Sequence, residues 1–283
     1  MTGRRHAFSG GCILPEGIGM THQPVTSSRP FSPAPHAAAV ALLVLLFLVP
    51  CVNAGTLYPH LWGGFATSLA GRSPQQRGNA ARAALDLDGV IIPSGGIFSF
   101  NERVGARDSL KGYVPAPIIN DRGGLSDTPG GGICQLATTI YNAALEAGLE
   151  IVERHPHSRS VGYVPPGRDA TILTWRKDLK LRNPHRVPLT LKVTMGEERL
   201  TVGFWSVEAR PFRVTILSDI LPVEPEAVVS GAGDRPGFLV QPGGRGYSVI
   251  TRRSVVRNGA ATEEILSRDF YPPPSRILAG EGP

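Results

Sequence analysis

Cysteine is scarce in this sequence of 283 residues, which contains only Cys12, Cys51 and Cys134. The first two lie in an N-terminal stretch that we predict below to be a leader or an anchor, so the rest of the chain retains Cys134 alone. A single cysteine cannot form an internal disulfide, which excludes a disulfide-stabilised scaffold. The remaining thiol is therefore either buried and inert or free and reactive.

Concentrated charge is missing as well. The formal net charge is +6, yet no run of basic residues is longer than two, and aromatic residues make up only 7% of the chain. Without a basic stripe interleaved with aromatic residues, we expect no nucleic-acid partner. The mild positive charge is compatible with an anionic cell envelope as the surroundings of the protein.

Long apolar runs are absent except at residues 37–49, an unbroken stretch of thirteen apolar residues. That length is too short to cross a bilayer comfortably but typical of a signal peptide, and the small residues at 52–54 provide a cleavage site. We therefore predict a signal peptide or an N-terminal anchor over 1–54, membrane contact only there, and an extracytoplasmic location (periplasm, cell wall or secreted) for the rest. A lipid on Cys51 is a third alternative, although Pro50 fits such a site poorly.

Three segments carry clear secondary-structure patterns. Ser73, Pro74 and Gln76 form a capping box that starts a helix ending at Gly89. Apolar residues at three- and four-residue steps predict a second helix over 133–145, and strict alternation over 189–204 predicts a β-hairpin. These patterns indicate an α+β fold, with two helices packed on a mixed or antiparallel sheet and a small β-rich C-terminal domain.

The chain divides by composition and pattern into five predicted segments. They are a signal peptide or N-terminal anchor (1–54), a linker (55–74), a main α+β domain (75–208), a small β-rich domain (209–276) and a disordered tail (277–283).

The main domain is organised around a glycine run that leads directly into the second helix. Gly130, Gly131 and Gly132 precede Cys134, which falls in the first helical turn. The positive end of a helix and its free N–H groups favour loss of the thiol proton. About twenty residues later the chain supplies two imidazoles in the segment 154–158. A nucleophile and a base are thus both available.

One hypothesis is a cysteine-dependent amide hydrolase or transpeptidase. Cys134 would be the attacking thiolate, His155 or His157 the general base, and the N–H groups of the turn at 131–134 an oxyanion hole. The group that orients the imidazole would be one of Asp169, Gln135 and Asn101. The predicted catalytic set is therefore Cys134, His155, His157 and Asp169. An inert Cys134 packed under the helix is the competing interpretation.

A second hypothesis is a non-catalytic binding module for a wall peptide or another anionic envelope ligand. The glycine loop and the helix N-terminus would hold a carboxylate or phosphate, and nearby arginines would add charge. The residues predicted to contact a ligand are Asn101, Gly131, Gly132, Gln135, Thr138, Arg154, Arg159 and Arg168. Surface arginines and a helix-packing Thr138 are the plainer alternatives for these positions.

A third hypothesis is a metal site built from the predicted catalytic set, because alternate residues of a strand such as His155 and His157 share a face. Neither Cys-x-x-Cys nor His-Glu-x-x-His occurs in the sequence, so this signal is weak and we expect no cofactor and no metal.

The order of several motifs resembles the VanW family, the vancomycin-resistance-associated extracytoplasmic domain. The motifs are Pro93-x-Gly-x-Ile-Phe-Ser-Phe-Asn-x-x-Val-Gly105, Gly112-Tyr113, Gly130-Gly-Gly-Ile-Cys-Gln135, Thr138-Thr-x-Tyr-Asn-Ala-Ala144, Glu153-Arg-His-Pro-His-Ser158 and Tyr163-Val-Pro-x-Gly-Arg-Asp-Ala-Thr171. The match covers about residues 75–200, and the tail from 245 to 277 is weakly similar to the wall-associated G-five type. This resemblance implies an envelope protein linked to peptidoglycan biology and glycopeptide resistance; it implies no particular reaction.

Overall fold

The computed structural model describes residues 58–119, 125–230, 235–241 and 243–281, so the predicted signal peptide or anchor lies outside the described residues. Within these described residues the α-helices are α1 (Pro74–Leu87), α2 (Phe100–Val104) and α3 (Ile133–Glu146). The strands are β1 (His60–Ser68), β2 (Ile91–Ile92), β3 (Ile97–Ser99), β4 (Pro115–Ile119), β5 (Leu125–Pro129), β6 (Glu150–Glu153), β7 (Lys180–Arg182), β8 (Leu189–Met195), β9 (Arg199–Ser206), β10 (Arg213–Val223), β11 (Ala227–Ser230), β12 (Arg235–Gln241), β13 (Gly246–Arg257), β14 (Ala260–Tyr271) and β15 (Arg276–Glu281).

The predicted α+β class is confirmed. The main sheet has the order β1-β9-β8-β2 and is antiparallel throughout, and both long helices pack on it. The predicted hairpin at 189–204 is the β8–β9 pair. The core between helices and sheet is made of fully buried apolar side chains, among them Leu87, Leu136, Ile140, Leu191, Val202 and Phe204.

Helix α1 starts as its sequence predicts. The Ser73 hydroxyl accepts from the Gln76 N–H at 3.2 Å, and the Gln76 side chain accepts from the Ser73 N–H at 3.1 Å. This reciprocal capping satisfies two N–H groups that a helix start otherwise leaves without partners.

The linker assigned to residues 55–74 is wrong for its central part, because 60–68 form β1 at the edge of the main sheet. Gly63 and Gly64 weaken the strand pattern in the sequence. The structure shows why Gly63 is there: a Cβ at this position would lie 2.3 Å from the backbone nitrogen of Ala147. The glycine lets the end of α3 approach the strand.

The C-terminal region is β-rich, as expected. Strands β10, β13 and β14 form an antiparallel sheet, and Asn258 and Gly259 turn β13 into β14 with φ angles of 49° and 81°. The tail predicted to be disordered also differs, because 276–281 form β15 beside β11 and β12. The described residues cluster into one compact unit, and none of their helices is long and apolar enough to cross a membrane.

Candidate active site

Cys134 is the second residue of α3 and lies in the wall of a groove of about 580 Å³. Its side chain is half-buried. The sulfur lies 3.6 Å from the Thr171 hydroxyl and 3.7 Å from the carbonyl oxygen of Ile172. The thiol therefore lines a ligand-sized cavity, while its residue also packs against the hydrophobic core.

The glycine run is required by the protein's own packing. A Cβ at Gly131 would lie 2.3 Å from the Ala116 carbonyl oxygen, and one at Gly132 would lie 2.4 Å from the Gln76 carbonyl oxygen. Gly132 also has a φ of +100°, which favours glycine. Of the two, only Gly132 lines the groove, so the structure does not place Gly131 where the predicted ligand contact would need it.

Fewer N–H groups are available for the predicted oxyanion hole than the four from 131 to 134. The N–H of Gly131 donates to the Thr128 carbonyl and that of Ile133 to the Gly130 carbonyl. In the described part of the chain, the N–H groups of Gly132 and Cys134 donate to no backbone carbonyl outside the helices and strands. These two N–H groups are therefore the ones left to donate to an oxyanion.

His157 and Asp169 form a hydrogen-bonded pair beside Cys134. The Nδ1 of His157 lies 2.6 Å from Oδ2 of Asp169, and the backbone N–H of His157 donates to the same oxygen at 2.7 Å. With Nδ1 engaged in this way, Nε2 is the ring nitrogen left for the Cys134 thiol, which lines the same groove as the imidazole and whose pKa is coupled to it. Both His157 and Asp169 are buried, so the imidazole is held in one orientation. A thiol, an imidazole and a carboxylate are the residue types of a catalytic triad.

The electrostatics of the pair favour a thiolate and an imidazolium. Burial raises the pKa of Cys134, but the hydrogen bond and charge of His157 and the contacts with Ile172 and Thr171 outweigh it and lower that pKa to about 7. Burial lowers the pKa of His157, whereas Asp169 and Cys134 raise it to about 9. Between these values both groups are charged. His157 then begins as a proton donor, in contrast to the general base that the sequence analysis assigned.

Alkylation of Cys134 by iodoacetamide is expected to rise with a midpoint near pH 7, because the thiolate is the reactive form. A free cysteine has its midpoint at about 8.5. The rate at Cys134 is read by peptide mass, which separates it from Cys12 and Cys51. His157→Gln should move the midpoint upward, and an unchanged midpoint in that variant would show that His157 does not activate the thiol.

The carboxylate of Asp169 is held by residues far away in the sequence. Its Oδ1 accepts from Arg154 at 3.2 Å and from the Tyr271 hydroxyl, and Arg154 also donates to Asp269 at 2.6 Å. The Tyr271 oxygen accepts from the Gly167 N–H at 3.0 Å. Burial raises the pKa of Asp169, but the His157, Arg154 and Tyr271 contacts lower it overall. Tyr271, the last residue of β14, thus helps to hold the Asp169 carboxylate beside His157.

Tyr271→Phe is expected to destabilise the fold by roughly 1–3 kcal/mol, because the Gly167 N–H loses its acceptor and Asp169 loses a donor. The thiol pKa of Cys134 should rise in the same variant. Chemical denaturation measures the first effect and the pH profile of alkylation the second. Tyr247→Phe on the neighbouring strand β13 is the matched control. Equal stability and an equal thiol pKa in the two variants would show that the Tyr271 hydroxyl does not position Asp169.

The other histidine is not part of this arrangement. The Nε2 of His155 lies 3.0 Å from a carboxylate oxygen of Glu153, which also binds Lys180 at 2.9 Å. The sequence left His155 and His157 as equal candidates, and the structure brings only His157 to Cys134. In the described part of the chain, no group of three or more His, Cys, Asp or Glu is arranged to hold a metal ion.

Several predicted ligand contacts are structural instead. Thr138 exchanges hydrogen bonds with the backbone of Ala170 at 2.9 and 3.1 Å, which fixes the residue after Asp169. Arg168 donates to Asn142 on α3 at 2.6 Å. Arg154 holds the two carboxylates described above. These side chains support the site from behind and do not line the groove.

Gln135, Asn101 and Arg159 have different positions. Gln135 reaches the groove wall, but its amide donates to Thr67 and Ser68 at 3.0 and 2.7 Å and does not orient the imidazole. Asn101 is buried and binds the backbone of a neighbouring loop. Arg159 lines the groove as expected. Arg107 and Arg72 line it too, and no local motif in the sequence marks them.

Residues 75–205 match the family model described as VanW like protein. The chain is 41% identical over 130 residues to "Uncharacterized protein YoaR" of Bacillus subtilis (strain 168). It is 31% identical over 127 residues to "Vancomycin B-type resistance protein VanW" of Enterococcus faecalis (strain ATCC 700802 / V583). These alignments cover 46% and 43% of this chain, and 43% and 46% of the relatives. The chain thus spans less than half the length of either relative.

Two solved structures are similar to a quarter of the chain. They are the crystal structure of HP0197-G5, at 19% identity and a TM-score of 0.19, and the IgA1 protease G5 domain, at 17% identity and a TM-score of 0.21. The matches cover 97% and 89% of those chains.

Proposed function

Because residues 75–205 of this chain form a VanW-like domain, we propose that the protein is an exported cell-envelope enzyme that acts on peptide amides of the cell wall. Cys134 is the nucleophile, His157 exchanges the proton, and Asp169 positions His157. The observation that carries this proposal is a buried, carboxylate-paired imidazole that lines the same groove as the one thiol of the described residues.

The chemistry follows from the charges of the pair. The Cys134 thiolate attacks the amide carbonyl, and the developing oxyanion accepts from the N–H groups of Cys134 and Gly132. The imidazolium of His157 gives its proton to the leaving amine, and the C–N bond breaks to leave an acyl-thioester. His157 then takes a proton from water or from a second amine, which attacks the acyl carbon while the C–S bond breaks and the Cys134 thiolate is released. Attack by water gives hydrolysis, and attack by the amine gives transpeptidation.

Two observations support the proposal that the protein acts at the cell wall. The N-terminal residues have the pattern of a signal peptide or anchor, and one relative carries a vancomycin-resistance name. An exported chain whose described part contains one free cysteine also fits a reactive thiol better than a disulfide framework.

The direct test is incubation of the purified protein with defined muropeptides, followed by mass spectrometry of the products beside the Cys134→Ser variant. We expect hydrolysed or cross-linked peptides from the wild type alone. Unchanged muropeptides in the presence of tight binding would support the second candidate, a non-catalytic module for anionic ligands, which the positive charge of the groove favours.

A further inference from the structure

The groove beside Cys134 is strongly asymmetric in charge. Arg72, Arg107 and Arg159 line it, together with Lys177 and Arg245, and no aspartate or glutamate of the described residues does. The formal charge of the whole chain is only +6. A cleft lined by one sign of charge concentrates ligands of the opposite sign. The lining therefore points to an anionic substrate.

Arg107 is a cation of the groove wall whose charge interacts with that of Cys134. Burial lowers its pKa, and Cys134 is the strongest of the charges that oppose this shift. Its terminal nitrogens donate to the Thr174 hydroxyl at 3.2 Å and to the Asn101 amide oxygen, both neutral groups. Its Nε is buried and has no acceptor among the described residues.

The position of Arg107 is fixed in advance by Asn101. The Asn101 amide nitrogen donates to the carbonyl oxygens of Lys177 and Leu173 at 2.9 and 3.3 Å, so its oxygen is left to accept from Arg107. The ring of Phe100 lies 5.7 Å beneath the guanidinium. This support keeps the side chain in place without neutralising its charge.

Two deeply buried arginines are paired with carboxylates. Arg154 lies between Asp169 and Asp269, and Arg253 binds Glu264 at 2.7 Å. Arg107 and Arg168 donate to neutral oxygens and form no ion pair in the part of the chain that the structure describes, and of these two only Arg107 lines the groove. A partly buried guanidinium with no carboxylate at hydrogen-bond distance is typical of a site where a ligand supplies that acceptor.

We propose that Arg107 binds a free carboxylate of the acyl-donor peptide, next to the amide that Cys134 attacks. The guanidinium geometry matches a carboxylate, and the pairing would place the carbonyl carbon at the thiolate. The substrate class is then a peptide with an unamidated carboxyl group beside the scissile bond. This inference rests on the proposed function, which it narrows to anionic acyl donors.

The test compares two forms of one synthetic wall-type pentapeptide, which differ only in whether the carboxyl group beside the scissile amide is free or converted to the carboxamide. Binding is measured by calorimetry to the Cys134→Ser variant, so that the result does not depend on turnover. We expect the carboxamide to bind roughly 10- to 100-fold more weakly than the free acid. Adding Arg107→Gln should weaken the free acid to the level of the carboxamide, whereas Arg82→Gln on the outer face of α1 should leave the difference intact.

Equal affinity for the two peptides, no binding of either, or a preference for the free acid that survives Arg107→Gln would each overturn the proposal. Arg107→Lys gives a second readout, because it keeps the charge and loses the planar fork, and should retain only part of the preference. If the wild type binds the free acid selectively but never turns it over, the carboxylate site stands and the proposed catalysis fails.

Discussion

Replacing Cys134 by serine is expected to reduce turnover of wall-peptide amides by on the order of 10³-fold or more, the scale seen when a triad nucleophile is lost. The site lowers the thiol pKa to about 7, so a large share of the enzyme carries a thiolate at neutral pH. A serine hydroxyl in the same place stays protonated, and the His157 imidazolium cannot act as its base. Initial rates by mass spectrometry of the products measure the loss.

The substitution is nearly isosteric, so the fold should not account for the effect. The neighbours of the sulfur are a hydroxyl and a carbonyl at 3.6 and 3.7 Å, which a serine can also satisfy. Denaturation midpoints of the two proteins should agree closely. A Cys134→Ser protein that retained most of its activity would contradict a thiol mechanism.

Replacing Asp169 by asparagine is expected to cost both stability and activity. The two carboxylate oxygens accept from His157, Arg154 and Tyr271, and an amide nitrogen at either place would face a donor. Loss of one member of a buried ion pair costs about 3–5 kcal/mol. Without the carboxylate the pKa of His157 falls, the pKa of Cys134 rises above about 7, and turnover should drop by on the order of 10³-fold.

Because the Asp169→Asn protein is expected to be less stable, its activity must be read under conditions where denaturation curves show it folded. His157→Gln provides the second variant, since it removes the imidazole and leaves the ion pair of Asp169 with Arg154 in place. Both variants should shift the alkylation midpoint of Cys134 upward. A folded Asp169→Asn protein with an unchanged midpoint and full activity would remove Asp169 from the mechanism.

Local patterns predicted much of the main domain because the interactions behind them are local. Each of these patterns is made by residues that are only a few positions apart. The patterns are the capping box of α1, the apolar face of α3 and the alternation of β8 and β9. Gly63 interrupts the same kind of pattern in β1, because it allows the close approach of a helix that is distant in the sequence.

The candidate site also divides into residues that local patterns identify and residues that only tertiary contacts identify. The nucleophile and both histidines could be named from the glycine run and the His-x-His segment, but the choice of His157 depends on the loop that returns Asp169 to it. Tyr271 lies 102 residues from Asp169, and Arg107 is recognisable only from the groove that it lines. Such tertiary pairings leave no periodicity or spacing that a single sequence reveals.

If Cys134 is the nucleophile, the reaction passes through a covalent acyl-enzyme, which mass spectrometry of the acid-quenched protein detects. The wild-type protein is mixed with a muropeptide, quenched within one turnover, analysed intact and then digested. We expect a mass increase equal to the acyl fragment on the intact protein and on the peptide that contains Cys134, and no increase in Cys134→Ser. Consumption of the muropeptide without an adduct on Cys134, or with an adduct at another residue, would show that Cys134 is not the nucleophile.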